Sequence, residues 1–167
     1  MNDLKYSVKR GTGARCTAAS TKPSAADRLH RSGQGVSVID NIEPPDSEAI
    51  IRTIAMPADT NPAGDIFGGW LMAQMDLAAG SAAARRARGR CATIAVDAMV
   101  FLRPVAVGDE VSLYAEIASV GRTSMKIHVE AWRRSRDSEE RYKVTDATFT
   151  FVAIDAQGRP RDVPPPA

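Results

Sequence analysis

One stretch of the sequence, residues 67–84, constrains the fold more than any other. Its only strongly polar side chains are those of Gln74, Asp76 and Ser81. A helix that is apolar on nearly every side is typical of a buried helix. The stretch is also narrow, because many of its residues are alanine or glycine. We therefore predict a central helix over about residues 66–86, with a sheet that wraps around it instead of lying flat on one face.

Signals at both ends bound this helix. A turn-rich loop at Asn61-Pro62 precedes it, and Asp65 is predicted to be its N-cap. Arg85 and Arg86 lie at the C-terminal end, where the helix dipole favours positive charge, and Gly89 follows as a stop signal.

Strand-like segments flank the predicted helix on both sides. A first, β-branched segment covers residues 49–56 and is stopped by a proline. Four more segments, over residues 91–101, 111–118, 125–132 and 141–154, follow the helix. We predict that these four form a meander. One helix against one antiparallel sheet is a two-layer α+β design.

The predicted domain covers residues 47–160, between two less structured ends. Residues 1–46 contain few large apolar side chains, so their burial cannot offset the entropy cost of ordering them. We predict a flexible basic tail there, with a targeting peptide or a nucleic-acid or membrane contact as alternatives. Residues 161–167 are predicted to be a frayed C-terminus.

The charge and cysteine content exclude several classes of protein. Residues 1–45 carry seven Lys or Arg against four Asp or Glu, whereas the remainder carries fifteen against sixteen. A nearly neutral domain does not predict a nucleic-acid partner. No apolar run approaches the length of a membrane span, so we expect no membrane partner and a cytoplasmic location. Cys16 and Cys91 form no zinc or redox pattern, and we expect no metal site.

Asp76 is the leading candidate for a catalytic residue. A carboxylate in an apolar helix is costly unless it has a partner or a chemical role. Gly69 lies seven positions earlier, on nearly the same helical stripe, and this stripe is small and open. The alternative is a carboxylate that Ser or Thr hydroxyls satisfy, or that an arginine pairs with.

The residues before Asp76 supply further candidates. Gly68 and Gly69 lie at the start of the helix, where backbone N–H groups lack intrahelical partners and can polarise a carbonyl. Tight packing of the helix against the sheet is the alternative for these glycines. Asn61 could orient a water molecule or hold a carbonyl group, and could equally be a turn former. Asp65 is a weaker catalytic candidate, since the N-cap role also accounts for it.

Several motifs together resemble a known family. The longest covers residues 56–76 and reads MPADTNPAGDIFGGWLMAQMD. Shorter ones read FLRPVAVGD over residues 101–109, GRTS over 121–124 and RYKVTD over 141–146. With these motifs, residues 48–163 resemble the YciA-like acyl-CoA thioesterases of the hot-dog fold superfamily.

The resemblance implies a fold, an activity and an assembly. A five-stranded antiparallel sheet would wrap one long helix, and two protomers would join their sheets as a homodimer that assembles further into a trimer of dimers. The reaction would be hydrolysis of an acyl-CoA to free acid and CoA, with Asp76 as general base or nucleophile and Gly68, alone or together with Gly69, polarising the thioester carbonyl. Asn61 would complete the site of the facing protomer.

The substrate contacts that the resemblance implies lie elsewhere in the chain. Arg122, Thr123 and Ser124 would hold the CoA portion, and the resemblance also points to Arg103 and Lys143. No separate cofactor is implied, because CoA is part of the substrate. Phe67 stands where related subfamilies carry a histidine, so a histidine contact to the carbonyl is absent.

Two other functions fit a hot-dog domain. A non-catalytic acyl-CoA sensor would need no acid in the helix, and such sensors usually accompany a DNA-binding module. A dehydratase acting on carrier-protein thioesters typically employs a histidine with an acid, and no histidine lies near the predicted helix.

Overall fold

The computed structural model describes residues 43–166, so nearly all of the predicted N-terminal tail lies outside the described residues. The predicted elements are present with shifted bounds. They are β1 (Ile51–Ile54), α1 (Gly68–Ala87), β2 (Cys91–Asp97), β3 (Glu110–Val120), β4 (Ser124–Arg134) and β5 (Arg141–Ala153), with a short 3₁₀ turn at Pro57–Asp59.

The five strands form one antiparallel sheet in the order β1-β3-β4-β5-β2. The predicted meander of four strands is therefore wrong in one respect. Only β3, β4 and β5 follow one another, whereas β2 pairs with β5, with Cys91 opposite Ala153. Helix α1 separates β1 from β2 in the chain, and the two strands form the opposite edges of the sheet.

The concave face of the sheet packs on α1. The buried helical residues are mostly small: Leu71, Met75, Ala78, Ala79, Ala83 and Ala87. Large side chains of the sheet face them, among them Leu113, Ile127, Val129, Phe149 and Phe151. Gly80 belongs to the same contact, since a Cβ atom there would touch the Phe151 ring at 3.6 Å. The prediction of a five-stranded sheet wrapped around a narrow helix, the hot-dog fold, is confirmed.

The helix is not buried on every side within one chain. Met72 is 41% exposed and Leu77 is 60% exposed. On β2, at the sheet edge, Ile94 is 61% exposed. The apolar sequence of α1 predicted a helix buried on every side. In a single chain, however, one face of the helix remains exposed.

The chain after β5 returns to the domain. Arg161 donates from Nη2 to the carbonyl oxygen of Ala87 at 2.8 Å, at the end of α1. The amide of Val163 donates to the carbonyl of Arg122, and Arg86 donates to the carbonyl of Pro164. Residues 161–164 are thus held by hydrogen bonds, and the predicted frayed end does not describe them. The physical reason is that the C-terminal carbonyls of α1 lack intrahelical partners and find one in this segment.

Among the residues that the structure describes, no helix combines the length and apolar character that crossing a bilayer requires.

We expect Phe149→Ala to lower the free energy of unfolding by about 3–5 kcal/mol, because the ring is fully buried between α1 and the sheet and its loss leaves a cavity. Thr150→Ala, at the next residue on the opposite face, is the control and should cost less than about 1 kcal/mol. Urea unfolding at one protomer concentration measures both. Equal effects of the two substitutions would contradict the packing described above.

Candidate active site

Helix α1 begins without a side-chain cap. Its N-cap residue is Phe67, in extended backbone conformation, and no side chain accepts a hydrogen bond from the first turn. The prediction that Asp65 is the N-cap is wrong. Asp65 instead belongs to a closed loop, where its amide donates to Asn61 Oδ1 at 3.1 Å and its carbonyl accepts from the Asn61 amide at 2.8 Å. The helix therefore starts two residues later than expected.

The first two helical amides, of Gly68 and Gly69, have no acceptor within residues 43–166. The next two amides, of Trp70 and Leu71, donate to the Phe67 carbonyl. Aromatic rings lie close to both glycines, since a Cβ at Gly68 would stand 3.2 Å from the Phe101 ring and one at Gly69 would overlap the Phe67 ring. Two reasons therefore explain why glycine stands at both positions: the close packing of the rings and the free backbone amides.

Asp76 lies two turns further along α1 and is half-buried. Its Oδ1 accepts a hydrogen bond of 2.7 Å from Thr93 Oγ1 on β2, and its Oδ2 has no partner in the described part of the chain. The predicted alternative, a carboxylate satisfied by a hydroxyl, thus applies to one oxygen. Because Gly69 lies seven residues earlier, its Cα atom lies on nearly the same stripe of the helix as the Asp76 side chain.

Thr93 is a candidate site residue that the sequence analysis missed. Its pairing with Phe151 places it on the concave face, and the register shifts between Thr93 and Ala95. The strand bulges there, which re-aims neighbouring side chains and is common beside active sites. The only signal for Thr93 in the sequence is that it is a lone threonine in an apolar strand. The alternation of residue types along a strand does not reveal a bulge.

Asn61 is a turn former in this structure. Its Oδ1 accepts hydrogen bonds from the amides of Ala63, at 2.9 Å, and Asp65, at 3.1 Å. Both bonds use the oxygen, so the amide nitrogen of the side chain keeps its two N–H donors for another partner. The predicted catalytic role of Asn61 stays a prediction.

A cavity of about 260 Å³ lies beside the start of α1. Gly68 lines it, together with one charged residue, Arg103. The remaining lining is apolar: Ile66, Phe67, Leu71, Phe101, Pro104, Val105 and Val144. Arg103 Nη1 donates to the carbonyl oxygen of Lys143 at 3.2 Å, so the guanidinium is anchored at this cavity.

The residues predicted to contact CoA fall into two groups. Arg122, Thr123 and Ser124 lie at the β3–β4 hairpin, where the Arg122 side chain is 81% exposed and pairs with Asp162 at 3.0 Å. Arg103 and Lys143 lie near the other end of the strands, because Ser124 pairs with Val152 whereas Lys143 pairs with Trp132. Eight residues of strand at about 3.3 Å each put roughly 26 Å between the groups. One protomer does not bring them together.

Lys143 already has partners on the outer face of the sheet. Its Nζ lies 3.2 Å from Glu130 Oε1 and also pairs with Asp146. Burial alone would lower the pKa of Lys143, but hydrogen bonds and charges from Asp146 and Glu130 outweigh burial and raise that pKa. His128, Glu130 and Asp146 have potential ligand atoms within 4.8 Å of one another, yet the Lys143 ammonium is bonded to two of the three.

Comparison with known proteins gives one consistent result. The family model for the thioesterase superfamily matches residues 63–140. An uncharacterized acyl-CoA thioester hydrolase of Zymomonas mobilis is 56% identical over 132 residues, which cover 78% of this chain and 89% of that protein. The acyl-CoA thioester hydrolase YciA of Escherichia coli is 50% identical over 123 residues, which cover 72% and 93%.

Solved structures agree with the relatives. The hexameric thioesterase from Yersinia pestis superposes with a TM-score of 0.70 at 50% identity, covering 74% of this chain and all of that chain. A hexameric hotdog fold thioesterase of Campylobacter jejuni superposes with a TM-score of 0.67 at 39% identity, covering 71% and 91%.

We expect Asn61→Ala to speed hydrogen exchange at the amides of Ala63 and Asp65 by about 5–10-fold, since each loses a hydrogen bond worth about 1 kcal/mol. Asn61→Asp keeps the accepting oxygen and should retain most of the protection. Nuclear magnetic resonance exchange rates measure both variants. Unchanged exchange in Asn61→Ala would show that another group holds the loop.

Proposed function

The chain belongs to the YciA-like acyl-CoA thioesterases of the thioesterase superfamily, and we propose that it hydrolyses acyl-CoA at the uncapped start of α1. The observation that carries the proposal is the pair of free amides at Gly68 and Gly69, about two turns before Asp76 on the same helix. A thioester is already activated, so amide donors, a carboxylate and a water molecule suffice for its hydrolysis.

The amides of Gly68 and Gly69 would donate hydrogen bonds to the thioester carbonyl oxygen. Negative charge develops on that oxygen as the carbonyl carbon becomes tetrahedral, and the positive end of the helix dipole stabilises it. The missing cap supports this role, because a capping side chain would take up one of these donors. The absence of a Cβ makes room for the rings of Phe67 and Phe101 beside these amides.

Asp76 would act through the oxygen that Thr93 leaves free. As a general base, its Oδ2 takes a proton from water, the resulting hydroxide attacks the carbonyl carbon, and the CoA thiolate leaves and is protonated. As a nucleophile, the same oxygen attacks the carbonyl carbon, the C–S bond breaks, and the CoA thiolate leaves and is protonated. Water then hydrolyses the resulting anhydride to the free acid and the Asp76 carboxylate. The Thr93 hydrogen bond holds the carboxylate in one orientation and supports either role.

We propose that the active unit is an oligomer in which two protomers join their sheets along β2. This strand is an edge of the sheet and carries exposed apolar residues, with Ile94 and Val96 as examples. Leu77 on α1 is exposed too. An open, apolar sheet edge is an aggregation hazard unless another chain covers it. The hexamers among the similar structures support a trimer of such dimers.

The wide separation of the two CoA-contact groups fits such an assembly. We propose that the hairpin residues Arg122, Thr123 and Ser124 and the cavity residue Arg103 serve one substrate from different protomers, with Asn61 of the facing protomer beside them. The Lys143 ammonium already has acidic partners, which argues against a direct contact between Lys143 and CoA.

The proposed reaction needs no cofactor besides the CoA of the substrate. The expected cytoplasmic location stays a prediction.

We expect Asp76→Asn to lower kcat for acyl-CoA hydrolysis by at least about 10²-fold, since it removes the base or nucleophile. Thr93→Val should lower kcat by about 10- to 100-fold, whereas Thr93→Ser, which keeps the hydroxyl, should stay close to wild type. Release of free thiol from short, medium and long acyl-CoAs measures turnover, and thermal unfolding checks that each variant folds.

Retained turnover in folded Asp76→Asn would contradict the assigned site. Binding of acyl-CoA without hydrolysis by the wild-type protein would instead support the sensor function.

We expect Ile94→Asp to shift the sedimentation coefficient toward that of smaller species, because it places a charge in the β2 interface. Gln157→Asp, in the exposed turn after β5, adds the same charge elsewhere and should leave the assembly intact. An unchanged oligomer in Ile94→Asp would show that β2 does not form the interface.

A further inference from the structure

The ring of Tyr142, near the start of β5, binds two arginines. The guanidinium carbon of Arg103 lies 5.3 Å from the ring centroid, and that of Arg133 lies 5.4 Å from it. A guanidinium over an aromatic face within about 6 Å is held by a cation–π interaction. The Tyr142 hydroxyl donates to the Glu140 carboxylate, and this hydrogen bond raises the pKa of the phenol.

Of these two arginines, Arg133 has a structural task. Its Nη1 donates to Asp109 Oδ2 at 3.1 Å, and the Asp109 side chain is nearly fully buried. The same carboxylate oxygen accepts from the amide of Ala106 at 3.0 Å, which fixes the loop before β3. Arg133 thus ties β4 to this loop, and its charge is balanced.

Arg103 differs from Arg133 in having no carboxylate within salt-bridge distance among residues 43–166. Its guanidinium is held by the Tyr142 ring and by the Lys143 carbonyl. It lines the cavity that Gly68 also lines. A fixed positive charge without an acidic partner in this part of the chain, at a cavity that Gly68 also lines, is a site for an anion.

We propose that Tyr142 is a positioning residue for substrate binding, whose ring holds Arg103 at the cavity beside Gly68, where the guanidinium binds an anionic group of the acyl-CoA. This inference rests on the proposed function. Two groups of such a substrate carry the required charge: a phosphate of the CoA portion, and a carboxylate at the end of a dicarboxylic acyl chain. The shared chemistry is an oxyanion that accepts hydrogen bonds from a guanidinium.

The test compares KM and kcat of wild type, Arg103→Ala, Tyr142→Leu and Tyr142→Phe. We expect Arg103→Ala and Tyr142→Leu to raise KM about 10-fold for the substrate that carries the anion, with kcat changed less than about 3-fold. Tyr142→Phe keeps the ring face and should stay close to wild type. Arg136→Ala, in an exposed loop, removes the same charge elsewhere and should leave KM unchanged.

Three substrates identify the anion. Butyryl-CoA carries the phosphates of CoA, butyryl-pantetheine lacks them, and glutaryl-CoA adds a carboxylate to the acyl chain. An increase in KM for both CoA thioesters but not for butyryl-pantetheine assigns Arg103 to a phosphate. An increase for glutaryl-CoA alone assigns it to the acyl carboxylate.

Other outcomes would overturn the proposal. KM values that stay unchanged for all three substrates in Arg103→Ala would exclude an anion site. Independent, multiplicative effects in the double variant of Arg103→Ala and Tyr142→Leu would show that Tyr142 does not act through Arg103. If Tyr142→Leu does not fold, Tyr142→Thr removes the ring while keeping β propensity. Failure of the proposed function is distinguishable, because wild type would then hydrolyse none of the three.

Discussion

The contact between a narrow helix and large inward side chains of the sheet determines the rest of the structure. Alanines of α1 let the helix axis come close to the strands, and the rings of Phe149 and Phe151 fill the remaining space. Interiors packed this closely tolerate little displacement, so the helix has one depth and one rotation in the curved sheet. That rotation brings Asp76 to within 2.7 Å of Thr93 and leaves the glycine amides open.

The same packing leaves each chain incomplete as a unit. A helix this rich in apolar residues has more apolar surface than one curved sheet covers, and the excess appears at Leu77 and along β2. The charged residues complement this arrangement. Arg133 and Asp109 stabilise the loop before β3, whereas Arg103, held by the same aromatic ring, has no acidic partner within residues 43–166. One arginine of the pair thus supports the structure, and the other is the one that we propose to bind the substrate.

Much of the fold could be predicted from the sequence, because apolar periodicity reports which residues face a core. The helix, the five strands and the wrapped sheet followed from it, and Asp76 stood out as an acid among alanines. The order of the strands could not be predicted, since alternation in β2 does not say whether its neighbour is β3 or β5. The start of α1 was also misplaced, because Asp65 has the side chain of a cap and its loop closure depends on Asn61. The contact of Thr93 with Asp76 could not be predicted, because it depends on a bulge in β2. The separation of Arg122 from Arg103 could not be predicted either, because it depends on the register of the strands.

The uncapped start of α1 has a consequence for how this chain can evolve. A serine, aspartate or asparagine in place of Phe67 would satisfy an orphan amide and add about 1 kcal/mol of stability, a gain within reach of a few nucleotide changes. Selection for stability alone would therefore favour that substitution. In the proposed enzyme the same side chain would compete with the substrate's carbonyl oxygen, so the stabilised descendants would be the inactive ones. Phe67 marks a position where robustness and catalysis are opposed.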